Sequence, residues 1–456
     1  MASKGTPDGG RGAVSHVSRR GLLQLTAGAT LPVAVAACAR PGSDRSGGGA
    51  LSEAPVTIAF AARTSKTEDE IQGILGDWNT AHPSWQVHIT RGLDDTKLKA
   101  LVAAGEKMDL LGWYQAARTI ILLLNILRPI EDYTKKDRFP VQRYSPKEVE
   151  LVGRYQGQLY ALPYAYGGNA TALLYNRSLF REAGVSEPPV DWGTAWTWEQ
   201  FREVLRKLTK RSGSIITQVG LTQLGDPITS LLVLTDGTWI SDDYKKATAD
   251  RTETIEAFER YAELILKDST LAASAGADLG SGDAFINGKA AMHVICCGPL
   301  AYTNRLQGTG LDWGFAPMPK MKYSSPDFQS VILAVPRLGD HPEHGWELAK
   351  YLLEGSRYGM LEQRMPAVVE DAAEWARMSY QEYPQARAQV LADGVKVARP
   401  VDKIKYHPAS VEMYDLVNPH LRDAWAGKQQ VRAMMTSLQP QLQGIIDRFE
   451  QSRGGG

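Results

Sequence analysis

The sequence is poor in cysteine, carries no net charge and has a single long apolar run. Its 51 basic and 51 acidic side chains cancel, so no global field favours nucleic acid or a highly charged ligand. After Cys38 only Cys296 and Cys297 remain. Their Cα atoms stand ~3.8 Å apart across a trans peptide, below the roughly 4.4 Å at which disulfides begin. They read as two small apolar residues on opposite faces of a strand; a strained, redox-labile pair is the competing reading. There is no G-x-S-x-G, no H-E-x-x-H and no P-loop. "HPEH" at His341 to His344 pairs two histidines beside a proline and reads as solvated loop rather than a metal site. "TIILLLNIL" at Thr119 to Leu127 is too short to span a bilayer.

The one long apolar run lies near the start. Arg19-Arg20 precede an apolar stretch from Gly21 to Ala37, and Val35-Ala36-Ala37-Cys38 closes it. A positive end, a short apolar middle and small residues at its close make an export signal over residues 1–38. The arginine pair resembles a twin-arginine signal, with Leu22 where that pattern prefers Phe, although the Sec route also accepts such pairs. "VAAC" resembles a bacterial lipobox, which implies lipidation of Cys38 and a cell-membrane anchor facing outward. Residues 39–54, rich in Gly, Ser and Pro, read as a flexible tether.

About 400 residues follow, too many for one core, so two lobes are expected. Apolar content of 43% and charged content of 22% suit a globular chain. "APVTIAF" (Ala54–Phe60), "WQVHI" (Trp85–Ile89) and "MDLLGWY" (Met108–Tyr114) read as strands. Helical patterns separate them, with Ile71, Ile74, Leu75 and Trp78 on one face of the first. That alternation predicts a parallel sheet covered by helices. "TALLYN" (Thr171–Asn176) and "AMHVICCG" (Ala291–Gly298) read as further strands. Thr197 with Gln200, and Asp250 with Glu253, match the capping box, the second opening a helix through Lys267. Gly345–Gly355 reads as a helix that Gly355 can close. Leu162-Pro163, Pro317-Met318-Pro319 and Met365-Pro366 punctuate the chain where it would cross between lobes.

Five segments in order carry a resemblance. They are "GQLYALPYAYGGNATALLYNRSLFREAGVSEPP", "TWEQFREVLRKLT", "DAFINGKAAMHV", "DWGFAPMPK" and "PEHGWELAKYLLEG". Together they resemble the family 1 extracellular solute-binding proteins, the substrate-binding lipoproteins of sugar-type ABC importers. "VILAVPRLGD" and "ICCG" depart from the family pattern. The resemblance implies an α/β, two-lobe periplasmic-binding-protein-like fold (type II) with a hinge and an interlobe cleft. Residues 55–163 and 318–365 would form the N-terminal lobe, and 164–317 and 366–450 the C-terminal lobe. It further implies a monomer that hands a mono- or oligosaccharide to permease subunits, with no catalytic residue, metal or cofactor. A polyol, a sugar phosphate or another small solute is the alternative guest. A secreted glycoside hydrolase is the enzyme-class rival.

Ligands of open α/β sheets sit beyond the carboxyl ends of strands. That rule selects Arg63, Trp113, Tyr114, Tyr164, Tyr166, Asn169, Asp236, Trp239, Gly298 and Arg364. Aromatic rings suit the apolar face of a pyranose, and polar groups its hydroxyl rim. Trp113 and Trp239, each beside a glycine or one residue from it, are expected to oppose each other as platforms, whereas Trp78, Trp198 and Trp346 belong to the core.

Overall fold

Strand Val56–Ala62 pairs in parallel with Trp85–Thr90 on one side and Leu110–Trp113 on the other. Helices Glu68–Ile74, Gly76–Ala81 and Asp95–Ala103 make the crossovers, as parallel pairing requires. This is a computed structural model that describes residues 54–166, 172–223, 229–271, 279, 283–295, 299–400 and 403–454. The signal, Cys38, nearly all of the tether, Asn169, Cys296, Cys297 and Gly298 lie outside the described residues.

Antiparallel strands complete the first sheet, whose order is Met365–Pro366, Ala161–Tyr166, Ser330–Ala334, Leu110–Trp113, Val56–Ala62, Trp85–Thr90. The proline-bearing Met365–Pro366 strand sits at its edge, where a missing N–H is tolerated. A second sheet orders Trp313–Ala316, Ala172–Asn176, Ala290–Ile295, Ile215–Leu221 and Lys210–Ser212. Both sheets belong to one compact unit, Leu51–Gly456.

The chain passes from the first sheet to the second after Tyr166, and back between Ala316 and Ser330. Pro317 therefore marks a crossing. Leu162-Pro163 does not: Pro163 lies inside its strand opposite Ile332, where the ladder shifts register. Met365-Pro366 precedes helix Val369–Ser379, which packs on Gln389–Val397 against the second sheet.

Local signals decide several elements. Thr197 and Gln200 form the expected capping box ahead of Trp198–Leu208. The Asp250 box does not form. Glu253 reaches Arg251 at 3.5 Å instead, and Arg251 is the cap of Thr252–Ala262, which runs on as a π-helical turn through Lys267. Helix Pro342–Leu353 opens three residues earlier than expected, and Gly355 ends it with φ +57. His344 is not in a solvated loop: it is buried in that helix, with its ring edge-on to Trp85. Among the described residues no cluster of three or more His, Cys, Asp or Glu could hold a metal. No helix there is long and apolar enough to cross a membrane.

Trp78, Trp198 and Trp346 are core residues, each 2% exposed. Asp109 staples the first lobe, accepting Ala59 N–H at 2.9 Å and His341 N–H at 2.7 Å.

Candidate functional site

A cavity of about 990 Å³ opens where the two sheet systems meet. Its first wall follows strand Leu110–Trp113. Helix Ala117–Leu124 supplies Arg118, and the segment Pro146–Gln156 supplies Glu150, Arg154 and Tyr155. Its second wall is Leu232 to Thr238 with Asp242, Asp243 and Tyr244. Arg251, which pairs with Glu253 at 3.5 Å, Arg399 and Lys403 complete the charged part of the lining.

Helix Ala117–Leu124 is almost wholly apolar, and Asn125 in the left-handed region closes it. Ala116 caps it without a side-chain bond, and no acid stands in its first turn, so Arg118 occupies the positive end of the helix dipole. Arg118 lies with its guanidinium carbon 3.8 Å from the Tyr244 ring centroid. Its Nη1 is buried without a hydrogen-bond partner, and burial pulls its pKa down. Tyr244 itself has φ +64, an uncommon state for a bulky residue. A tight turn holds it there: Tyr244 N–H bonds Ser241 O at 3.0 Å and Ser241 N–H bonds Lys246 O at 2.8 Å. Asp243 accepts from Ser241 Oγ at 2.5 Å and Lys245 N–H at 3.1 Å, and the hydroxyl lowers its pKa.

Asp236 accepts from Arg399 at 2.8 Å, from Tyr323 at 3.4 Å and from Lys322. The Lys322 ammonium leads in holding its carboxyl below the usual range. Gly237 is required next to it: a Cβ there would lie 2.8 Å from Leu232 Cδ2 and Thr254 Cα. Lys403 pairs with Asp242 at 2.6 Å, and Arg154 with Glu131 at 3.1 Å.

Of the residues expected from sequence, Asp236 lines this cavity. Arg63 and Tyr114 come together outside it, with the guanidinium 3.7 Å from the ring centroid. Tyr114 donates to Asp95 at 2.7 Å; burial, then that bond, pushes its hydroxyl up to about 12. Tyr164 and Tyr166 are buried in the first lobe, Tyr164 with its ring 4.7 Å from that of Tyr358. Arg364 stands near them, and its Nε is buried without a partner. Trp113 and Trp239 do not face each other as platforms. They are 1% and 0% exposed. Trp113 packs on Tyr114 at 5.1 Å and Trp239 on Phe258 at 5.2 Å, so neither offers a free ring face. Sequence reasoning missed Arg118, Tyr155, Tyr244, Arg399 and Lys403. Arg118 alone had a signal, as the first charge beyond the strand end at Trp113.

Two α/β lobes with a lined chamber between them define a binding protein. The chain belongs to the bacterial extracellular solute-binding proteins, whose family model matches residues 90–354, more than half of its length. Solved structures share the fold. The sugar-binding protein MalE of Xanthomonas citri is 17% identical with a TM-score of 0.69, covering 88% of this chain and 100% of its own. An ABC substrate-binding protein of Listeria monocytogenes, in complex with cycloalternan, is 16% identical with a TM-score of 0.67, covering 88% and 99%. The maltose/maltodextrin-binding domain MalE of Bdellovibrio bacteriovorus, bound to maltotriose, is 17% identical with a TM-score of 0.60, covering 87% and 100%.

Proposed function

We propose that this protein captures a carbohydrate, a mono- or oligosaccharide, in the chamber between its lobes and delivers it unaltered to the permease subunits of an ABC importer. The observation that carries this reading is the chamber of about 990 Å³ lined from both sheet systems. A guest touching both walls stabilises the closed arrangement, and only differential affinity for that arrangement shifts its population. The Tyr155 ring, with Asp236, Arg399 and Lys403 in the same lining, suits a pyranose, apolar on its faces and hydroxylated at its rim. Proteins of the same fold hold cycloalternan and maltotriose in their structures. Lipidation of Cys38, through its lipobox-like "VAAC", would keep the binding body at the outer face of the cell membrane.

A thermal-shift screen over sugars, polyols and other small solutes tests this. Ligand at a hundredfold excess over Kd stabilises the folded state by ~2.7 kcal/mol, so a carbohydrate hit raises the melting temperature by several degrees. A shift with non-sugar solutes alone would overturn the carbohydrate assignment.

A further inference from the structure

We propose that the carbohydrate carried in this chamber bears an oxyanion, a carboxylate or a phosphate ester, that pairs with Arg118. This rests on the capture reading above and adds the charge class of the guest.

The chain as a whole is neutral, but its chamber is not. Its carboxylates are already engaged. Asp236 has Arg399 and Lys322, Asp242 has Lys403 at 2.6 Å, and Glu150 stands 4.0 Å from Arg154. Asp243 turns into its own loop, towards Ser241 and Lys245. Two cations of the lining are left over. Arg118 and Lys147 have no carboxylate within ion-pair distance among the described residues.

Arg118 is the more telling of the two. Burial costs a cation part of its hydration, which a paired carboxylate ordinarily restores. Here the neighbours do not restore it. The face of Tyr244 compensates in part. Glu450 and Arg453 approach from the C-terminal helix, but they pair with each other at 3.4 Å. The first turn of helix Ala117–Leu124 adds its own positive end to the same place. A guanidinium remains charged at any physiological pH, and its planar N–H fork matches a carboxylate or phosphate. A surplus cation at a helix N-terminus on the chamber wall is therefore poised for an anionic group that the protein does not supply.

The test is titration calorimetry on the purified protein with three matched sets of ligand: neutral oligosaccharides, their uronate counterparts, and sugar phosphates. The expected result is at least tenfold tighter binding of one acidic set than of its neutral counterpart, with the margin shrinking between about 50 and 500 mM salt. The uronate and phosphate arms tell which oxyanion is meant. Arg118→Gln removes the preference of the acidic set over its neutral counterpart, and Arg118→Lys keeps part of it. Should Arg118→Gln fold poorly, Lys147→Gln, at an exposed position, reads the same surplus charge as a smaller loss of preference. Equal or tighter binding of the neutral sugar, or a preference that survives Arg118→Gln in a folded protein, overturns this inference and leaves carbohydrate capture standing. Failure of every carbohydrate to bind overturns both.

Discussion

Arg118 and Tyr244 stack directly on each other in the chamber lining, guanidinium carbon 3.8 Å from the ring centroid. One belongs to the helix that follows the third parallel strand, the other to a turn on the opposite wall. The pair ties the walls together, and a partly desolvated cation over a ring contributes about 1–2 kcal/mol. Tyr244→Leu deletes that ring. The expected outcome is a loss of about 2 kcal/mol in urea unfolding and roughly tenfold weaker carbohydrate binding by calorimetry. Unchanged affinity would remove Tyr244 from the site.

Trp239 gives the opposite expectation. It is fully buried against Phe258. Trp239→Phe should cost about 1–3 kcal/mol of stability through the void it leaves, with ligand affinity within about twofold of the parent. A large fall in affinity at unchanged melting temperature would restore the ring to the binding site.

Stability should respond to pH with two opposed contributions. Burial, aided by nearby Arg305, holds His293 neutral down to about 4, with Thr222 Oγ1 2.7 Å from its Nδ1. The unfolded histidine takes up a proton near 6.5, so this contribution is complete above that value. It is lost as pH falls towards 4, by up to ~3 kcal/mol. Glu148 runs the other way. Burial, reinforced by the Asp327 carboxylate, raises its carboxyl to about 7. The folded protein then keeps a proton that the unfolded chain sheds near 4.5, so stability present below 4.5 is lost as pH rises to 7. Glu148→Gln should match the parent at low pH and exceed it by up to ~3 kcal/mol near pH 8 in urea unfolding. Parallel stability curves for the two proteins would contradict the assignment.

Gly345 lies within helix Pro342–Leu353, where alanine ordinarily gains about 1 kcal/mol over glycine. A Cβ at this position would stand 2.1 Å from the Asp109 carbonyl oxygen. Gly345→Ala should therefore destabilise the first lobe, by about 2–3 kcal/mol in denaturant unfolding, against the sign of helix propensity. A stabilised variant would mean that the helix can shift away from strand Leu110–Trp113.

The scaffold was legible because it follows local rules. Strand and helix periods up to Trp113 predict the parallel core, and Thr197 with Gln200 marks a real helix start. Asp250 misled because the motif cannot show that Glu253 prefers Arg251. The chamber was mostly illegible for a different reason. Arg118, Tyr155, Tyr244 and Arg399 are distant in sequence and meet through the crossings between sheets. The tryptophans beside glycines looked like exposed platforms. Gly237 instead permits the close approach to Leu232 and Thr254, and Trp239 turns into the core. Asp236, in the same turn, keeps its carboxylate at the chamber wall, where Arg399 pairs with it.

The measurement nearest the central claim is native mass spectrometry of the protein incubated with a mixture of neutral and acidic oligosaccharides, followed by release and weighing of whatever was held. The account expects one sugar per chain, recovered at its original mass, and loss of that complex when Arg118 and Tyr244 are both replaced. An empty protein, a guest recovered in cleaved form, or a complex indifferent to both replacements would contradict it.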